Sequence, residues 1–246
     1  MSSQKTVATA RRVLSQLSHD RRTLALLFIV PPVLITILKY VFQGSSAQFD
    51  HLAPMLLGIF PMVMMFLITS IATLRERTSG TLDRLMTMPI SKADFIMGYA
   101  LAFSLVALVQ AVITSGVMLG FLRVTVLGGT LPTLVSTIAA GFLGTALGLF
   151  VSAFAGSEFQ AVQFMPAFIF PQLLTCGLFV PREQMARFLQ WFADVVPLTY
   201  SVDAMKQVTT EAVWSSHLTR DLAVVIGYAI AALILGSITI RRQERT

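Results

Sequence analysis

Phe95–Leu122 reads FIMGYALAFSLVALVQAVITSGVMLGFL, and none of its 28 residues is Asp, Glu, Lys or Arg. A bilayer core about 30 Å thick is crossed by roughly 20 apolar residues at 1.5 Å each, so this run is long enough to span lipid as a helix. Five other stretches meet the same length: Leu24–Phe42, Leu52–Leu74, Val126–Phe154, Ala161–Val180 and Leu222–Ile240. Their apolar residues run on without the alternation over about ten residues that marks membrane-barrel strands, so helical spans are expected. Composition agrees. The chain is 55% hydrophobic and only 12% charged, against about 25% charged residues in a water-soluble globule. Its richness in Leu, Ile, Val and Phe also excludes disorder, because such a chain has abundant apolar surface to hide.

The basic residues set the orientation. Lys5, Arg11, Arg12, Arg21 and Arg22 precede the first span, Arg75, Arg77, Arg84 and Lys92 lie between the second and third, and Arg241, Arg242 and Arg245 follow the last. With six spans these segments share one face, which the positive-inside rule makes cytoplasmic. A multi-pass protein of the cell membrane with both ends in the cytoplasm is expected. The other face holds Arg123, Arg182, Arg187, Lys206 and Arg220, while Lys39 sits near the outer end of the first span and snorkels to the interface. The first run, nearer 19 residues than the 7–15 of a signal-peptide core, is read as a retained span. The formal charge of +6 is dispersed among apolar stretches rather than gathered in a patch, so nucleic acid is not expected as a partner and membrane lipid is. Cys176, the single cysteine, permits no intramolecular disulfide and no cysteine-based metal cluster.

Three segments are neither spans nor simple connectors. Within residues 1–22, Val7, Ala10, Leu14 and Leu17 fall at helical spacing while Lys5, Arg11, Arg12 and Gln16 lie largely elsewhere on the wheel. This predicts an amphipathic helix on the cytoplasmic leaflet, with a frayed basic terminus as the alternative. Residues 75–93 carry Arg75-Glu76-Arg77, then Gly80 to break the outgoing helix, Leu82, Leu85 and Met86 to give a short helix an apolar face, and Pro89 to interrupt the next. Ser91 and Asp94 have capping-box spacing before the third span. The shape suits docking of a soluble partner; taken alone, a solvated charged turn is equally compatible. Residues 181–220 are too long for a plain connector. Met185, Phe188, Leu189 and Phe192 repeat at i, i+3, i+4 and i+7, and Tyr200, Ala204, Met205 and Val208 make a second amphipathic piece. A helical hairpin dipping into the outer leaflet is predicted, with an extracellular cap as the alternative. In the fourth span Ala140, Gly144, Gly148 and Ser152 form a stripe of small residues suited to close helix packing, and Gly116 and Gly120 repeat the spacing in the third.

Chemistry is conspicuous by what is missing. His19, His51 and His217 lie in loops or near span ends, so no nucleophile and base meet at membrane depth, and no metal-ligand spacing occurs. Polar residues near membrane depth are Gln110, Glu158, Gln160, Gln163 and Gln172; Glu158, beside Ser157, is read as capping the fifth span. There is no GxxxxGK[ST] phosphate loop, and no Gly precedes a Lys. No catalytic residue, metal or cofactor is assigned to the chain.

Taken in order, these motifs resemble one family, the membrane subunits of type-2 ABC exporters. The run from Arg75 to Ser91 looks like that family's coupling segment, and Gly177-Leu178-Phe179-Val180-Pro181 with Leu189-Gln190-Trp191 and Pro197-Leu198-Thr199-Tyr200 resembles its re-entrant outer motif. The resemblance covers nearly the whole chain. It implies one all-α membrane domain over residues 1–246 with six spans, an amino-terminal interface helix, a cytoplasmic coupling helix and an outer re-entrant hairpin. It also implies a second permease subunit, identical or paralogous, and a separate ABC ATPase subunit that holds ATP and Mg²⁺. Glu76, Arg77, Gly80, Thr81, Asp83, Arg84 and Pro89 are then the expected ATPase-coupling residues. Phe60, Met64, Phe66, Phe164 and Phe168, on the second and fifth spans, are the expected lining of a path for an amphipathic drug or lipid. The competing expectation is a structural, regulatory or immunity subunit of the same fold that moves no substrate.

Overall fold

The computed structural model describes residues 3–79 and 92–239. Nine α-helices and no strand are present among them. In chain order they are α1 (Ser3–His19), α2 (Arg21–Val41), α3 (Ser46–Thr78), α4 (Lys92–Gly116), α5 (Thr130–Ser152), α6 (Glu158–Thr175), α7 (Arg187–Val195), α8 (Pro197–Thr210) and α9 (Ser216–Thr239). A π-helical turn, Val117–Phe121, prolongs α4, and a 3₁₀ turn, Arg182–Gln184, precedes α7. By length and composition α2, α3, α4 with its π turn, α5 and α9 are able to cross a membrane.

The expected fifth span, Ala161–Val180, differs. Its helix α6 starts at Glu158 and stops at Thr175, so its 18 residues include Glu158, Gln160, Gln163 and Gln172 and two prolines, Pro166 and Pro171. The chain then turns through Gly177 at φ +82, with the Lys206 ammonium nitrogen 2.7 Å from where a Cβ would sit. A side chain there meets both a left-handed backbone and a charged neighbour, which explains the glycine. The fourth span also begins later than Val126, because Gly128 N–H donates to the Val208 carbonyl (2.9 Å) and ties this stretch to the end of α8 instead of to a helix of its own.

α5 sits at the centre, packed on α3, α4 and α9, and its pairing with α3 is the most extensive in the bundle. Small residues permit it. A Cβ at Gly144 would lie 2.1 Å from the Met62 carbonyl oxygen and one at Gly148 would lie 2.5 Å from that of Phe66, so the stripe read in the sequence serves packing within this chain. Gly116 and Gly120 have open space around them.

Prolines inside α2 leave carbonyls without their helical donor, and in an apolar interior each such orphan is costly. Pro31 removes the N–H that would serve Leu27, and Gln110 of α4 donates to that carbonyl instead (3.3 Å, buried). Gln172 of α6 accepts a hydrogen bond from Leu198 N–H (3.3 Å), an unpaired donor in the first turn of α8. These two buried glutamines thus complete backbone hydrogen bonding inside the bundle. The segment between residues 181 and 220 forms two helices, α7 and α8, joined at Val196, and α8 packs against α3 and α9. Gly58 of α3 makes room for α8, its carbonyl accepting from Ser201 Oγ at 2.9 Å.

Candidate functional site

The helix α3 continues four residues past Leu74, and its last turn presents Arg75, Glu76 and Arg77 in three directions about 100° apart. Each grips a different element. Arg75 makes a two-pronged ion pair with Glu158 at the start of α6 (2.7 and 3.0 Å). Arg77 donates to the carbonyls of Ser152 and Ala155 at the end of α5, where the helix dipole favours a cation. Glu76 faces α1: both its oxygens accept from Arg12 Nη1 (3.2 Å each), and Oε1 also accepts from Gln16 Nε2 (3.1 Å). Arg12 Nη2 donates to the Tyr99 hydroxyl on α4 (3.0 Å), so one buried carboxylate joins three helices.

α1 itself is docked on α4. Gly98 lies against Thr9, where a Cβ would approach to 2.6 Å, and Ala10 and Val13 are buried. Two details depart from the sequence expectation. Val7, assigned to the apolar face, is exposed, while Arg12, assigned to the polar face, turns inward half-buried, and Gln16, though exposed, reaches across to Glu76. The reason is Glu76: a carboxylate taken out of water needs donors, and these are the side chains in reach. Asp20 alone separates α1 from α2. It caps α2 by accepting from Thr23 N–H (3.1 Å) and Oγ1 (2.6 Å), and these bonds, the side-chain one foremost, hold its carboxyl below the usual aspartate value.

Of the expected coupling residues, Glu76 and Arg77 therefore spend their charges inside the chain, holding α1 and α5. Gly80, Thr81, Asp83, Arg84 and Pro89 lie outside the described residues. Glu158 is also reassigned: Ser157 Oγ caps α6 by accepting from Gln160 N–H (3.2 Å), and Glu158 pairs with Arg75.

At the opposite end of the bundle, α2, α3 and α6 enclose an open apolar groove of about 760 Å³. Leu38, Leu56, Phe60, Val63, Ile169 and Leu173 are among its walls. The five expected path residues divide. Phe60 lines the groove. Met64, one turn on, lines a second cavity of about 390 Å³ between α2 and α3, with Asp20 and Arg75 among its lining residues. Phe66, fully buried, is on the other side of α3 and stacks on Phe168 (centroids 6.1 Å apart, rings 5° from parallel). Phe164 packs beside Leu74, Ala155 and Ala161. Two residues apart on a helix means about 200° of rotation, so Met64 and Phe66 face opposite ways. Sequence reasoning missed Leu38 and Ile169, since α2 and α6 offer many apolar residues and no periodic signal marks the side that meets α3.

A second polar cluster joins α7, α8 and α9. Arg182 donates to Asp203 (2.7 Å) and Asp194 (3.3 Å), Lys206 is 3.6 Å from Asp203, and Asp221, fully buried on α9, accepts from Gln207 (2.6 Å) and from Arg220 (2.9 Å).

Comparison with known proteins gives this arrangement its context. ABC transporter G family member 20 of Dictyostelium discoideum is 24% identical over 213 residues, covering 85% of this chain and 29% of that protein. The probable multidrug ABC transporter permease YbhR of Escherichia coli (strain K12) is 26% identical over 168 residues, 66% of this chain and 46% of that protein. The inner membrane transport permease YhhJ of the same strain is 28% identical over 167 residues, 64% and 44% respectively. The matched part is thus less than half the length of each of these relatives. The family profile described as ABC-2 type transporter matches residues 4–209, from the start of α1 to the end of α8, and the chain belongs to that family.

Proposed function

We propose that the chain is the permease subunit of an ATP-driven exporter, working with a second permease subunit and with a separate ABC ATPase subunit that binds ATP and Mg²⁺. One observation carries the reading. The 33 residues of α3 run without a break from the walls of the apolar groove to the Arg75–Arg77 turn, and α6, the groove's other wall, is held to that turn by the Arg75–Glu158 pair. A displacement of residues 80–91 is thereby conveyed to both walls. Thr81, Asp83 and Arg84 meet the ATPase, Gly80 and Pro89 bound the coupling helix, and Glu76 and Arg77 hold that helix's base rigid against α1 and α5. Coupling requires that the ATP-bound and ATP-free states of the partner differ in their fit to this segment.

In this reading α6 is the sixth crossing, its 18 residues giving about 27 Å of helix, and both chain ends face the cytoplasm. The substrate is an amphipathic drug-like or lipid-like molecule. Support comes from the groove's apolar lining and from the multidrug designation of the permease YbhR; varied apolar ligands suit aromatic and aliphatic walls.

The test is ATP turnover by the complex of this chain with an ABC ATPase that co-purifies with it, reconstituted in liposomes and challenged with hydrophobic dyes. Wild type should be stimulated by at least one dye. Asp83→Arg should abolish stimulation while the chain still inserts, and Phe60→Asp should weaken it by raising the dye concentration required. Turnover indifferent to every dye and to Asp83→Arg would favour the non-transporting structural or immunity subunit instead.

A further inference from the structure

We propose that a second site, at the groove end of the bundle but separate from the groove, binds the phosphate headgroup of a membrane phospholipid. The site is a cavity of about 390 Å³ lined by Lys39, Tyr40, Gln43, Ser46, Asp50 and Arg123, with Phe42, Phe49 and Leu122 completing its wall. Three elements able to cross a membrane have their ends here: α2 stops at Val41, α3 starts at Ser46, and the π turn after α4 stops at Phe121. The cavity therefore lies at the depth of lipid headgroups.

Its charges are arranged for a phosphate. Lys39 Nζ donates one hydrogen bond to the Leu122 carbonyl at 2.6 Å, which fixes the ammonium at the wall and leaves two donors for a ligand. Arg123 is exposed, forms no ion pair among the described residues, and is held with φ at 54°, in the left-handed region that a non-glycine residue seldom adopts. Against these two cations stands one acid, Asp50, so the lining is net positive. Guanidinium and ammonium groups together are suited to a phosphodiester, the first through paired donors and the second as a point charge.

The surroundings select a lipid over a free anion. Phe121, beside the cavity at the end of the π turn, is an exposed apolar side chain placed to meet an acyl chain below a headgroup. Tyr40, also exposed, is the amphipathic ring expected at a membrane interface. The groove shares only Phe42 with this cavity, so the lipid binds beside the transport path and is a companion of the fold. The inference needs the chain to sit in a bilayer and does not depend on its transporting anything.

Native mass spectrometry of the full chain in dodecyl maltoside tests this without the ATPase. The probes are palmitoyl-oleoyl phosphatidylglycerol, the diacylglycerol with the same acyl chains, and inorganic phosphate. Wild type should retain phosphatidylglycerol in preference to both others. Arg123→Gly should reduce that retention about fivefold, the worth of one cation near a lipid surface. This variant separates binding from folding, because glycine is relaxed at a left-handed φ and thermal melting should hold or rise. Asp50→Asn should increase retention. Equal retention of diacylglycerol, equal binding of inorganic phosphate, or undiminished phosphatidylglycerol on Arg123→Gly would each overturn the assignment.

Discussion

Replacing Gly144 by alanine adds one methyl group where α5 lies against the backbone of α3, and the structure sets the size of the effect. The new Cβ would lie 2.1 Å from the Met62 carbonyl oxygen and 2.8 Å from both Met62 Cα and C. A comfortable carbon–oxygen contact is about 3.3 Å, so the two helices must separate locally by about 1.2 Å. The obstacle is backbone, and no rotamer change relieves it. Gaps of about 0.5–1 Å forfeit a quarter to a half of the dispersion energy across the affected contacts, and overpacking of a core typically costs about 1–3 kcal/mol. Alanine recovers about 1 kcal/mol of helix propensity, which is smaller than the upper end of that cost. The net loss, up to about 2 kcal/mol where the backbone cannot yield, lowers Tm by up to roughly 4–8 °C for a chain of this size. Cys176 supplies the readout: it is the only cysteine and fully buried, so a thiol-reactive dye reports unfolding in detergent. Gly227→Ala is the internal comparison. Nothing lies within 4 Å of its Cβ, so melting should rise by about 1–4 °C from propensity alone. If Gly144→Ala melts at or above wild type, the close approach of α3 and α5 is not what positions the groove wall, and the packing argument fails.

Two further perturbations address the end of the bundle where α1 meets the Arg75–Arg77 turn. Glu76→Ala removes the shared acceptor of Arg12 and Gln16 and strands a half-buried guanidinium whose Nε is already unpartnered; a loss of about 1–3 kcal/mol is expected. Trypsin should then cut after Arg11 and Arg12 several times faster, and an unchanged cutting rate would dismiss the anchor. Asp20→Ala removes the cap of α2 at a cost of about 1 kcal/mol, read by the same melting assay, whereas Asp20→Asn keeps a capping oxygen. Because the Thr23 bonds hold this carboxyl below its ordinary 3.8, the stabilisation by the ionised form is complete above that value and lost as pH falls through the lowered one. The melting difference between wild type and Asp20→Asn should therefore be constant near neutrality and shrink only in strong acid.

Much of the architecture follows from local properties that a single sequence carries. An apolar run of about 20 residues has no alternative in lipid to closing its own hydrogen bonds as a helix, and that principle alone marks α2 to α5 and α9. α1 is legible from its 3.6-residue period, and α7 and α8 from theirs. The end of α6 is not legible in this way: the apolar run continues to Val180, while the helix stops at Thr175 and the chain turns at Gly177.

What only tertiary structure decided is the partner of each polar group. Glu76 meets residues 60 and 64 positions away, Arg75 meets Glu158 83 positions on, and Gln110 serves a carbonyl 83 positions back that Pro31 had orphaned. Sequence marks such residues as polar in an apolar setting and therefore in need of a partner. It is silent about which one, since the choice belongs to helices that have no shared period and meet only after folding. The groove is of the same kind: α2, α3 and α6 are each apolar on several sides, and the side that becomes a wall is set by how α3 seats on the glycines of α5.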